Sequence, residues 1–234
     1  MPNSGIAIED LDTRPDMAKY LEAKSLFYPD HASPRTAWQP VELIYDLEAR
    51  DSPTEAWAQN IAALADDGKT ILLWAGDARH GATVVEILKK LRLLPAESAA
   101  VPLEADWIGG WNFNTTHPVF SGLPAPVVFN QEYAGAFGYR GITEFPGTVI
   151  AGLINAPPQF AVTLGELPFR KGKVMVCALN LLPFLDKDPV ADRIMAQLLN
   201  YAVTHTNVSA DDLRRSVAGR TTGGGNQERV DTPR

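Results

Sequence analysis

The sequence is poor in the residues that most often announce chemistry. It holds one cysteine, Cys177, and four histidines in 234 residues. A single thiol excludes an internal disulfide and a thiolate-built zinc site. The histidines His31, His80, His117 and His205 show neither H-x-x-x-H nor H-x-H spacing, so no metal is expected. Positive charge is scarce as well. The formal net charge is −7, and the densest basic group, Arg214, Arg215 and Arg220, falls near the C-terminus. Phosphate-backbone binding needs clustered Lys and Arg, so nucleic acid is not an expected partner. No apolar run approaches the roughly 20 residues that span a bilayer, which argues against a membrane segment. The opening "MPNSGIAIEDLD" lacks a basic region followed by an apolar one, so no signal peptide is expected and the compartment stays open.

What is present has the proportions of a globular domain, 45% hydrophobic and 21% charged. "GIAIED" could be a strand, and Asp16–Phe27 reads as a helix after Pro15. "VELIYDL" (Val41–Leu47) reads as a strand. In "SPTEAWAQNIAALADDG", Ser52 is a predicted N-cap, Pro53 takes the first helical position and Glu55 completes a capping box. Trp57, Ile61 and Leu64 share one helical face, and Gly68 ends the helix. "KTILLW" (Lys69–Trp74) is a continuous apolar run, as in a strand buried on both faces. "AGDARHG" reads as a turn and "ATVVEILKKLRLL" as a second amphipathic helix. From about Ala99 to Phe169 the short runs "APVVF", "GTVIAGLI" and "QFAVTL" predict added antiparallel strands. "GKVMVCALNLL" gives a further buried strand. The last helix has Asp188 as N-cap and Pro189 behind it, with Val190, Ile194, Leu198 and Tyr201 in one stripe and Ala191, Met195 and Leu199 in the next.

Strand alternating with helix is the grammar of an α/β fold with a mostly parallel sheet. The expected organisation is one domain over residues 1–206, with a β-rich insertion at about 99–169. A tail at 207–234 contains "TTGGGNQERVDTPR", too polar to bury a core and expected to be disordered. "SADDLRRSV" at its start could hold a short amphipathic turn.

Three stretches could carry function. The turn Asp77, Arg79, His80 lies between a central strand and a helix N-terminus, where open α/β sheets bind ligands. The simpler reading is that Asp77 is an N-cap satisfying backbone N–H groups, with Arg79 and His80 solvated. "EADWIGGWNFNTTHPVFSGLP" (Glu104–Pro124) combines aromatics with amide and acid groups. Trp107, Trp111, Asn112, Asn114, His117 and Asp106 supply the residue types that hold a sugar, although the same stretch could plug a sheet edge. Its spacing leaves open whether Trp107 and Trp111 share a face. His117-Pro118 reads as a turn from which Val119, Phe120 and Leu123 pack inward. Finally, Glu132 and Glu144 join Asp77 and Asp106 as carboxylates that glycoside hydrolysis would need in a pair. Cys177 sits inside a strand between Val176 and Ala178, where free cysteine is an inert core residue rather than a nucleophile on an exposed elbow.

"HPVFSGLP" (His117–Pro124), "KGKVMVCALNLL" (Lys171–Leu182) and "DPVADRIMAQLLNYA" (Asp188–Ala202) resemble the C-terminal region of large bacterial family 2 glycoside hydrolases. That region is similar to class I glutamine amidotransferases, and related folds form the trimerisation domain of some beta-galactosidases. The likeness covers about Val41 to Thr204. It implies a three-layer amidotransferase-like or flavodoxin-like scaffold without its nucleophile, ancillary to a carbohydrate-active enzyme. The implied roles are packing, homo-oligomer assembly or glycan contact, with no cofactor. The partner implied is an upstream (β/α)8 barrel that holds the catalytic carboxylates. The alternatives are a small hydrolase using Asp77, His80 and Glu132, or a free-standing sugar-binding module.

Overall fold

The computed structural model describes residues 6–9, 20, 41–44, 54–76, 78–102, 111–155 and 159–205. Nine strands among them join one mixed sheet. Strands β1 (Ile6–Glu9), β2 (Val41–Ile44) and β3 (Thr70–Trp74) run parallel, and β9 (Gly172–Cys177) adds to β3 in the same sense. Beyond β9 the direction alternates. β8 (Gln159–Phe169) is antiparallel to β9, β7 (Thr148–Asn155) to β8, and β5 (Trp111–Asn114) to β7. The short β6 (Arg140–Ile142) joins β8 at Val162 and carries β4 (Ala100–Pro102).

The sheet is therefore mixed rather than mostly parallel, with three parallel and five antiparallel pairings among the described residues. The predicted insertion is no appendage: its strands extend the same sheet, because β8 is long enough to pair with β9 along one half and with β7 along nearly all of it. The "APVVF" run makes a single bridge, Val128 to Phe113, following a cis Ala125–Pro126 bond.

Residue alternation along the strands separates two cores. Ile71, Leu73, Val174 and Val176 face helices α1 (Thr54–Asp66) and α2 (Ala78–Lys90), meeting Trp57, Ile61, Val84, Ile87 and Leu88. Leu72, Trp74, Met175, Cys177 and Leu164 face the other way, into Ile194, Met195, Leu198 and Leu199 of α3 (Pro189–Thr204). Asp188 caps α3 as predicted, accepting from the N–H groups of Val190 and Ala191. Gly68 closes α1 at φ +79°. At Gly172 a side chain would strike the Lys69 carbonyl, so only glycine lets β9 enter the sheet there.

Some expectations shift. Helix α2 begins at Ala78, four residues early, so Arg79 and His80 are helical rather than part of the turn. Tyr20 is helical and buried, while the rest of Asp16–Phe27 lies outside the described residues, as do Ser52, Pro53 and the tail.

Candidate functional site

The ends of the parallel strands come first, because open α/β sheets place ligands there. Cys177 closes β9 and is fully buried, and burial pushes its thiol up to about 12. Such a sulfur is neither ionised nor reachable. His80 is half-buried in the first turn of α2, on the helix that packs against the Ile71–Leu73 face. Glu132 is exposed on the 3-10 turn Gln131–Ala136, whose Tyr133 and Ala136 enter the opposite core. Glu144 sits exposed in a left-handed turn at φ 49°. The structure thus brings no two of these groups together. Asp77, Asp106 and Trp107 lie outside the described residues.

The aromatic stretch divides between two surfaces. Along β5 the side chains alternate, with Trp111 and Phe113 on one face and Asn112 and Asn114, both buried, on the other. The two amides are committed internally. Asn112 Oδ1 accepts from Gly138 N at 2.9 Å. Asn114 Oδ1 accepts from Val127 N at 2.9 Å, while its Nδ2 donates to Pro124 O at 3.0 Å and to Tyr133 Oη at 3.1 Å. These bonds fasten the 124–129 segment along β5, helped by Asn114 N to Val127 O and Phe129 N to Asn112 O. Pleating turns Asn112 and Asn114 away from Trp111, so these expected ligand contacts do not share one face.

His117 goes elsewhere again. It caps the 3-10 turn Pro118–Phe120 with extended backbone, its Nδ1 accepting from Val119 N at 3.3 Å. Val119 and Phe120 pack inward as expected. The imidazole meets Tyr201 edge-on, with centroids 4.5 Å apart, and Tyr201 stacks on His205 at 4.4 Å. Beneath them is an ion pair. Lys173 Nζ lies 3.0 Å from Glu166 Oε2 and 4.2 Å from the Tyr201 ring centroid, while Tyr201 donates to the same carboxylate at 3.1 Å. Burial lowers the His117 pKa, with Lys173 and His205 lowering it further and Glu166 opposing. Tyr201 is pushed up to about 12 by burial and then by Glu166. With its carboxylate claimed by Lys173 and Tyr201, Glu166 is no poised base; the group clamps β8, β9 and α3 together. A charge inside each of two apolar strands, "TLGELPF" and "GKVMVCA", was the available sequence signal for this clamp.

Among the described residues of this stretch, Trp111 is left as the exposed aromatic. It stands opposite Ile154, which stands opposite Phe160, in one row across β5, β7 and β8. The three are 56%, 36% and 43% exposed. Directly opposite residues share a face, so the row is continuous. Beside it Phe113 stacks on Phe160 at 6.0 Å, and Val128 lies against Phe113 across the bridge. Sequence reasoning found Trp111 but missed Phe113, Ile154 and Phe160, because only the pairing register places them together.

The described residues form a mixed α/β domain with an apolar face that no helix among them covers. Compared with known proteins, the chain matches no family model and no curated protein.

Proposed function

We propose that the chain is a non-catalytic ancillary domain of a carbohydrate-active enzyme of the glycoside hydrolase kind, serving packing, oligomer assembly or glycan contact. Its scaffold is the three-layer amidotransferase-like or flavodoxin-like one that the motifs at His117–Pro124, Lys171–Leu182 and Asp188–Ala202 resemble. The observation that carries this reading is the exposed row Trp111–Ile154–Phe160: a contact surface bearing neither acid nor nucleophile. The sealed thiol of Cys177 supports it from the other side. Exposed contiguous apolar area on a folded domain marks a place of contact.

The test is turnover. Nitrophenyl glycosides and glutamine incubated with the protein should yield nitrophenol and ammonia no faster than in buffer, and Cys177 should resist a disulfide reagent until the chain unfolds. Measurable hydrolysis that disappears in His80→Ala or Glu132→Gln, with the melting temperature unchanged, replaces this reading with the small-hydrolase one.

A further inference from the structure

We infer that the face formed by Trp111, Phe113, Ile154 and Phe160 binds a neutral, β-linked pyranose oligosaccharide two or three units long. The inference deepens the ancillary reading above and rests on it for its setting, although the binding itself can be measured apart from it.

The face is paved rather than studded. Gly152 lies between Phe113 and Val162 in the register, and a Cβ there would approach Phe113 Cζ at 2.7 Å and Phe160 Cε2 at 2.9 Å. The two rings therefore lie over the glycine and fill the space its side chain would take, as aromatic residues do beside strand glycines. From β5 to β8 the row crosses two strand intervals, about 10 Å. That is the length of two pyranose rings. Equatorial β-linkages keep successive rings nearly coplanar, so their axial C–H faces can lie on neighbouring side chains of a flat surface; the aromatic rings offer the negative π-face those hydrogens favour.

Charge excludes the main competitors. Residues 111–114, 127–131, 152–155 and 159–162 contain no Asp, Glu, Lys or Arg. Among the described residues, nothing in the paving is suited to a phosphate, a uronate or a charged peptide. The polar residue beside Trp111 is an amide instead. The exposed Asn130 falls opposite Trp111 when the Val128–Phe113 register is continued; its Oδ1 accepts from Glu132 N at 2.9 Å and keeps a second lone pair, while its Nδ2 can donate. An amide both donates and accepts, as a sugar hydroxyl does. Size argues against a second copy of the chain: a stable protein interface takes about 20–30 residues a side, and among the described residues this face offers five, the four above and Val128.

The experiment is titration of the full chain with cellotetraose, xylotetraose, α-linked maltotetraose and a charged oligogalacturonate, followed by tryptophan fluorescence and calorimetry. At least one neutral β-linked oligosaccharide should saturate the protein, more tightly than the α-linked and charged ones. Trp111→Ala and Phe160→Ala should each weaken it by about tenfold, equivalent to roughly 1.4 kcal/mol. Gly152→Val should weaken it too, by lifting the rings while leaving both aromatics in place. Melting temperatures report that each variant is folded. The inference is overturned if no β-linked sugar saturates the wild type, if Trp111→Ala and Phe160→Ala bind normally, or if maltotetraose binds as well as the β-linked series. It is also overturned if Trp111→Ala dissolves a dimer in a protein that ignores sugars. Absence of binding together with absence of turnover removes this inference and leaves the ancillary reading standing; turnover with binding does the reverse.

Discussion

The two ends of the sheet are built for different neighbours. In the parallel part, every residue of β3 and β9 is buried, because helices α1 and α2 lie over one face and α3 over the other. Sealed strands of that kind read as unbroken apolar runs. At the antiparallel end, β5 alternates between exposed and buried, and β7 and β8 become exposed where their hairpin begins and ends. One face there has no helix among the described residues, yet it still carries aromatic side chains. Apolar surface left uncovered where coverage was available to the rest of the sheet is the feature that asks for a ligand. The seam between the two regimes is the β8–β9 pair, and the Glu166–Lys173 clamp sits on it.

Breaking the clamp should give the largest effect. Glu166→Ala leaves the Lys173 ammonium, only 8% exposed, without its carboxylate and removes the acceptor of Tyr201. Loss of one partner of a buried pair costs about 3–5 kcal/mol. Urea denaturation should show that loss as a lower midpoint. The double replacement Glu166→Leu with Lys173→Met should recover most of it, since an apolar pair of similar volume needs no compensation. A loss under about 1 kcal/mol for Glu166→Ala would mean that water reaches Lys173 and the seam is open.

A smaller effect belongs to pH at the same seam. The folded-state pKa of His117 lies below its unfolded value, chiefly through burial. Between those two values the unfolded chain binds the extra proton, so stability rises with pH through the window and is complete above about 6.5. Acidification from pH 7 towards 5 should therefore lower the melting temperature, before the carboxylates titrate. Protonation also turns Nδ1 from the acceptor of Val119 N into a donor. His117→Asn keeps a capping acceptor without the titration and should flatten this limb of the curve. An unchanged slope in that variant would place the acid sensitivity elsewhere.

The contrast between the two ends also explains what could be read in advance. β3, β9, α1 and α3 were legible because each carries a complete local signal: an unbroken apolar run, or a 3.6-residue stripe with a cap such as Asp188. The parallel partnership of β3 with β9 was not, since about a hundred residues separate them and only pairing joins them. The antiparallel strands of the 99–169 section were expected from their short apolar runs, but their joining to the parallel strands in one sheet was hidden for the same reason. At the candidate site, Trp111 was visible as an aromatic near amides. Its true companions, Ile154 and Phe160, come from two other strands, while Asn112 and Asn114, its sequence neighbours, are turned to the far face by a period of two. Sequence adjacency misled where the strand pleat, invisible without a firm register, decided the grouping.

The smallest expected effect discriminates most finely between the two ends. If the row is a binding face, Trp111→Ser should cost no more than about 1 kcal/mol, the scale of a cross-strand contact with Ile154 on an exposed surface. If Trp111 instead plugs the sheet edge, the same change opens a cavity in a packed layer and costs several times more. Denaturation midpoints of Trp111→Ser and Phe160→Ser separate the two without any knowledge of a ligand. A loss above about 2 kcal/mol in both variants would make this end as structural as β3 and β9. A near-neutral result leaves three strands holding apolar residues towards water with little return to stability, which is the condition under which a contact elsewhere has to account for them.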